Sequence, residues 1–229
     1  MSIILNNYIF VVALNLSSKL NFTALKKLFL FFISILILLL AIFAIVFLVK
    51  HMNWKNDLTK SSFSYLKNGD LVLRQGRSAE SFAVYLLDPN SDFSHIGIVV
   101  VEHSITYIVH IVPDKPGLVR KDSPLVFLSS ENASHFKVLR TDFDENKLNQ
   151  VSMNALKFYN QHLTFDSDYD LTTDGSLYCT ELVLKAFQQS NIIFPDIVPQ
   201  KIKLLVGSYD VIMPGSFLVN SHFTAIEGK

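Results

Sequence analysis

Three residues carry side chains suited to joint covalent chemistry: Cys179, His95 and His110. Cys179 is the only cysteine, so no disulfide forms within the chain. It follows a turn-rich stretch, Thr172-Thr173-Asp174-Gly175-Ser176, and opens a segment with Leu182, Val183, Ala186 and Phe187 on one helical face. A thiol in the first turn of a helix meets free backbone N–H groups and the positive end of the helix dipole. Both favour thiolate, so the expectation is a lowered pKa. The competing role of a lone cysteine is that of a small buried hydrophobe.

A cysteine nucleophile needs a base, and the base needs an orienting group. His95 opens the run His95–Val101, and His110 lies in the run Thr106–Val112; both are rich in β-branched residues and read as strands. With the turn centred on His103-Ser104, paired residue numbers sum to 207, so His95 faces Val112 and Gly97 faces His110. The two histidines then share one sheet face as diagonal neighbours, about 7–8 Å apart. From there His110 reaches His95 and sets its tautomer. A turn one residue longer or shorter would send His110 to the other face.

Other elements must frame these residues. Gly69-Asp70 followed by Leu71-Val72-Leu73 reads as turn and strand, and Phe136–Arg140 as a further short strand. Apolar residues at 148, 151, 155 and 158 predict a helix over Asp144–Tyr159. Pro195 and Pro199 end the region after the cysteine helix, and Phe217–Val219 and Phe223–Ile226 read as closing strands or extended segments. The result is one α+β domain over residues 65–229, of ordinary single-domain size.

The N-terminal quarter is different. Leu28 to Val49 is 22 residues with one polar side chain, Ser34, and no charge. As a helix it spans about 33 Å, enough for a hydrocarbon core of about 30 Å. A cleaved signal has a shorter apolar run and a small-residue cleavage site; here the run closes on Val46-Phe47-Leu48-Val49-Lys50. The expectation is an uncleaved transmembrane anchor at 28–49, preceded by a short segment at 1–27 and followed by a tether at 50–64. Flanking lysines nearly tie (Lys19, Lys26 and Lys27 against Lys50, Lys55 and Lys60). A single N-terminal anchor before a long domain favours export, so the domain is expected outside the cytoplasm. The apolar stretch at 1–20 reads as interfacial or as lying before the true start.

Charge follows the same division. Residues 1–50 hold four lysines and no acid, whereas the remainder carries 16 bases against 20 acids. A mildly acidic domain argues against nucleic acid as a partner. The 50% hydrophobic content excludes a disordered chain. There is no HExxH, EF-hand loop, Walker loop, dinucleotide fingerprint or Gly-x-Ser-x-Gly, so neither a metal nor a cofactor is implied.

Three motifs in order then point to a family. Asn68-Gly69-Asp70-Leu71-Val72, Ser94-His95-Ile96-Gly97-Ile98-Val99 and Leu177-Tyr178-Cys179-Thr180-Glu181-Leu182-Val183 resemble the YiiX/YaeF-type permuted papain-like amidases, circularly permuted relatives of the NlpC-type cysteine peptidases. Asp168-Tyr169-Asp170 and Ile212-Met213-Pro214 extend the resemblance, which covers about residues 65–226. It implies a permuted papain-like fold with an antiparallel sheet and packed helices. It implies Cys179 as nucleophile, His95 as general base and His110 at the third polar position. Tyr178 and Ser94 would shape the oxyanion and substrate pocket, with Glu181 beside them as a first-turn carboxylate. The implied reaction is acyl transfer through a thioester. The expected substrates are a peptide or peptidoglycan-stem amide in the cell envelope, or alternatively a lipid amide or ester. A silent binding module on the same fold is the third reading.

Overall fold

The computed structural model describes residues 22–52, 63–204 and 207–226. The chain divides into two units, Met1–Asn53 and Trp54–Lys229. In the first, helix α1 (Phe22–Met52) contains a 22-residue stretch, Leu25–Val46, of mean hydropathy 3.3, none of it buried. Ser34, its one polar side chain beyond Lys26 and Lys27, donates its hydroxyl proton to the Phe31 carbonyl at 2.8 Å. By length and composition α1 is apolar enough to cross a membrane, and it lies where a signal sequence also would. The stretch at 1–20 and most of the tether lie outside the described residues.

The second unit is built on strand β1 (Leu71–Gly76), helix α2 (Ala79–Leu87), strands β2 (His95–Glu102), β3 (Ile105–Ile111) and β4 (Val119–Asp122), and the short helix α3 (Pro124–Phe127). Strand β5 (Ala133–Arg140), helix α4 (Glu145–Asn160), strands β6 (Thr164–Phe165) and β7 (Ser176–Leu177) and helix α5 (Cys179–Gln188) follow. Strands β8 (Gln200–Leu204) and β9 (Gly207–Val211), helix α6 (Gly215–Leu218) and strand β10 (Thr224–Ile226) complete it. A six-stranded sheet runs β10-β5-β1-β2-β3-β4, antiparallel at every pairing.

Alternation splits the sheet into two apolar faces. Leu71, Leu73, Ile96, Ile98, Val109 and Ile111 pack with α4 and α5. Val72, Val99, Ile108 and Val138 pack with Phe127 and Leu128 on the other side. Ser152 of α4 fixes the first contact, donating to the Val99 carbonyl at 2.8 Å and accepting from the Gly69 N–H at 2.9 Å. Gly69 sits at φ 80, a left-handed turn that favours glycine. The buried Asp70 after it takes a bidentate pair from Arg140 at 2.8 and 2.6 Å, tying β1 to β5.

The hairpin between β2 and β3 turns on two residues, His103 (φ 49) and Ser104 (φ 66). Left-handed backbone at both positions suits the natural twist of a two-residue hairpin. The pairing, Ile98 with Val109 and Val99 with Ile108, follows the sum of 207 expected from sequence.

One segment departs from expectation. Phe217–Val219 is not a strand: Gly215–Leu218 is a helical turn. Pro214 is already in helical backbone, and the Gly215 N–H donates to the Asp88 carboxylate at 2.6 Å. Turning the chain there buries Phe217 completely. Asp88 lies 127 residues away, so no local pattern announces this cap.

Candidate active site

One polar residue from each of four adjacent strands forms a row across the Phe127 face: Arg74, His95, His110 and Asp122. Arg74 pairs directly with His95 across β1 and β2. His110 pairs with Arg120, which makes Asp122 its diagonal neighbour on β4. The side chains join: His95 Nε2 lies 3.0 Å from His110 Nδ1, and His110 Nε2 lies 2.9 Å from Asp122 Oδ2. Phe127 closes over the row, with its ring 4.8 Å from the His110 ring, 5.6 Å from the His95 ring and 4.3 Å from the Arg74 guanidinium.

The protonation of this row follows from its surroundings. The bond from His110 holds the Asp122 carboxyl below the usual carboxylate range, so Asp122 accepts and His110 Nε2 donates. Burial pushes His110 down to about 4, and Arg74 adds to that, so the ring is neutral and its Nδ1 must accept. Its donor is therefore His95 Nε2–H. His95 is neutral too, held well below its ordinary value by burial first and then by Arg74, His110 and Arg120. Its Nδ1 keeps a lone pair, the form a general base requires.

Gly97 permits this contact. A Cβ there would meet Ile108 Cγ2 at 2.6 Å, the Val109 carbonyl at 3.0 Å and His110 Cβ at 3.1 Å. Gly97→Ala is expected to push β3 and His110 away from His95, costing about 1–3 kcal/mol of stability by overpacking. Thermal unfolding and turnover measured together test this; a fully active, equally stable variant would contradict it.

Cys179 begins α5, is half-buried, and lines with His95 a cavity of about 440 Å³. Its expected pKa direction is corrected by the structure. Burial pushes the thiol up to about 11, outweighing the N–H groups of Thr180, Ile96 and Cys179 itself and the charge of Arg74, all of which pull it down. The amide contacts anticipated at the helix start are present, but removing the sulfur from water is the larger effect. The resting pair is thus neutral thiol and neutral imidazole.

The flanks of Cys179 are clamped to one backbone group. The Ile212 N–H donates to Tyr178 Oη at 3.1 Å, and Thr180 Oγ1 donates to the Ile212 carbonyl at 2.7 Å. Tyr178 and Ser94 both line the cavity. Burial raises the Tyr178 phenol. Ser94 Oγ accepts from the Gly76 N–H at 3.0 Å, holding the start of β2 against β1. Glu181 is not among the cavity-lining residues. It is fully buried, accepts from the Tyr178 N–H at 3.2 Å and pairs with Lys185 at 3.1 Å; burial lifts its carboxyl to about 7. His110 stands behind His95, outside the cavity wall.

Three residues were given no site role by sequence reasoning, Tyr169 among them although it lies in a motif of the resemblance. Asp122 lies in Val119–Asp122, too short and charged to read as a strand, though Arg120 and Asp122 alternate as the hairpin mate of β3 requires. Arg74 is a charge inside a fully buried strand, and that anomaly was itself the signal. Tyr169, at φ 54, lines the cavity and packs its ring 5.3 Å from Tyr178. Asp166 holds that turn by accepting from the N–H groups of Asp168 and Asp170.

Buried neutral histidines have a consequence for stability. The unfolded chain takes up His110's proton near pH 6.5, whereas the folded chain resists until about 4. Stability is therefore expected to fall as pH drops across that window, by on the order of 3 kcal/mol from His110 alone. Denaturant unfolding of the full chain in detergent tests this; the slope should flatten in His110→Asn, and an unchanged slope would contradict it.

A family model described as permuted papain-like amidase enzyme, YaeF/YiiX, C92 family, matches residues 65–226. Among solved structures, the metalloprotein yiiX from Escherichia coli O157:H7 superposes with a TM-score of 0.56 at 19% identity, covering 71% of this chain and 97% of that one. At that identity the likeness is one of fold. No curated protein matches the chain.

Proposed function

We propose, since the chain belongs to the permuted papain-like amidase enzymes of the YaeF/YiiX type, that it hydrolyses an amide bond through a thioester on Cys179. The observation that carries this reading is the Asp122–His110–His95 row, which engages Nε2 of His95 and leaves its Nδ1 lone pair for catalysis, with His95 and Cys179 lining one cavity. In this mechanism His95 takes the thiol proton as Sγ attacks the carbonyl carbon. The C–S bond forms as the carbonyl π pair moves to oxygen. Collapse of that oxyanion expels the amine, which leaves with the proton from His95. Water, deprotonated by His95, then attacks the thioester; the second oxyanion collapses with cleavage of the C–S bond, the carboxylic acid leaves, and the Cys179 thiolate recovers its proton from His95. Because both groups start neutral, attack creates an imidazolium, and the Asp122 charge, passed through His110, stabilises it. Tyr178 and Ser94 shape the pocket wall, and the Cys179 N–H is a backbone donor for the oxyanion.

The similar fold of yiiX is described as a metalloprotein. Among the described residues here, no three His, Cys, Asp or Glu side chains are grouped to hold a metal ion. His95 Nε2 and both nitrogens of His110 are already bonded. The donors do not fit a metal.

The apolar α1 supports a membrane tether; we propose further that the catalytic domain lies outside the cytoplasm and that its amide substrate is a peptide or peptidoglycan stem in the cell envelope. The same tether also brings the domain near lipid amides and esters. Turnover of matched stem-peptide amides and acyl-lipid esters by the full chain in detergent separates the two. Preference for the peptide amide supports the proposal; turnover of acyl lipid alone would replace it with lipid acyl transfer or hydrolysis.

A further inference from the structure

The cavity that holds Cys179 and His95 also contains a buried cation without an anion. Arg74 is 8% exposed, yet makes no ion pair among the described residues. Its Nη1 donates to the Phe127 carbonyl at 2.6 Å and its plane lies over the Phe127 ring, but its buried Nε has no hydrogen-bond partner. The nearby carboxylate, Asp122, is committed to His110. The other arginine whose charge is felt in the row, Arg120, is paired with Asp114. A buried guanidinium costs several kcal/mol unless charge and hydrogen bonds compensate it. Burial, with the neighbouring charges, lowers its pKa to about 10, so it stays charged at neutral pH.

We infer that Arg74 is the floor of an anion subsite, so that the scissile bond belongs to a substrate carrying a carboxylate or phosphate close to the reacting carbonyl. The planar N–H fork of a guanidinium matches either oxyanion, and Arg74 lines the cavity. Position supports this: Arg74 is the cross-strand partner of His95, so a group held by it lies beside the base. The substrate's charge would complete the row that the fold leaves incomplete. This inference rests on Cys179 being the nucleophile.

Two alkylating reagents that differ only in charge test it, iodoacetate and iodoacetamide, applied to the full chain in detergent with Cys179 modification read by mass spectrometry. Relative to glutathione, the iodoacetate-to-iodoacetamide rate ratio at Cys179 is expected to rise about tenfold. It should fall back in Arg74→Gln and persist in Arg74→Lys. If Arg74→Gln fails to fold, the wild-type ratio against glutathione decides alone. A ratio equal to that of glutathione overturns the subsite while leaving the hydrolase reading intact. A thiol inert to both reagents overturns the nucleophile itself and the subsite with it. Protection of Cys179 by an N-acyl amino acid assigns the subsite to carboxylates, and protection by glycerol phosphate to phosphates; protection by neither overturns the proposal.

Discussion

Cys179→Ala is expected to reduce amide turnover by about 10⁴-fold or more, as loss of a covalent nucleophile does elsewhere. The side chain is half-buried and small, and the fold around it is held by Tyr178, Thr180 and Glu181. The variant should therefore keep its thermal unfolding profile. His95→Ala should lose activity on a similar scale, because the two act as one unit. The double variant should then be no worse than either single one. Losses that multiplied in the double variant would mean that Cys179 and His95 act independently.

Asp122→Asn is the second large effect. Its oxygen accepts the His110 Nε2 proton, and that single bond sets both tautomers in the row. An asparagine amide that donates instead reverses the sequence: His110 Nδ1–H would point at His95 Nε2, and the His95 proton would move to Nδ1, where the lone pair is needed. An asparagine that still accepts preserves the tautomers but removes the charge facing the imidazolium. Both routes act on the chemical step, so kcat is expected to fall by about 10²–10⁴ with KM little changed. Asp122 does not line the cavity and is a positioning residue in this account. A rise in KM at constant kcat would contradict that role.

The register of the histidine hairpin was readable from sequence because a two-residue turn leaves one solution in which both flanking strands bury their apolar residues. Helix α4 was readable from its apolar spacing, and the start of α5 from the turn preceding Cys179. What escaped depended on distant partners. Strand β4 is polar because Asp122 and Arg120 serve the row and the cavity rim, so it lacks the apolar alternation of a strand. The turn at Phe217 takes its cap from Asp88 across the fold. The Cys179 pKa was read from its helix position, which is local. The burial that reverses the shift comes from tertiary packing around the thiol.

The most direct test of the central claim is to look for the acyl-enzyme. The full chain in detergent is mixed with an activated acyl ester, quenched in acid and analysed by intact and peptide mass spectrometry. The account predicts one acyl group on Cys179, removed by neutral hydroxylamine as a thioester is, absent in Cys179→Ala and strongly reduced in His95→Ala. A folded wild-type chain that turns over substrate with no adduct on Cys179, or with an equal hydroxylamine-labile adduct in Cys179→Ala, would contradict it.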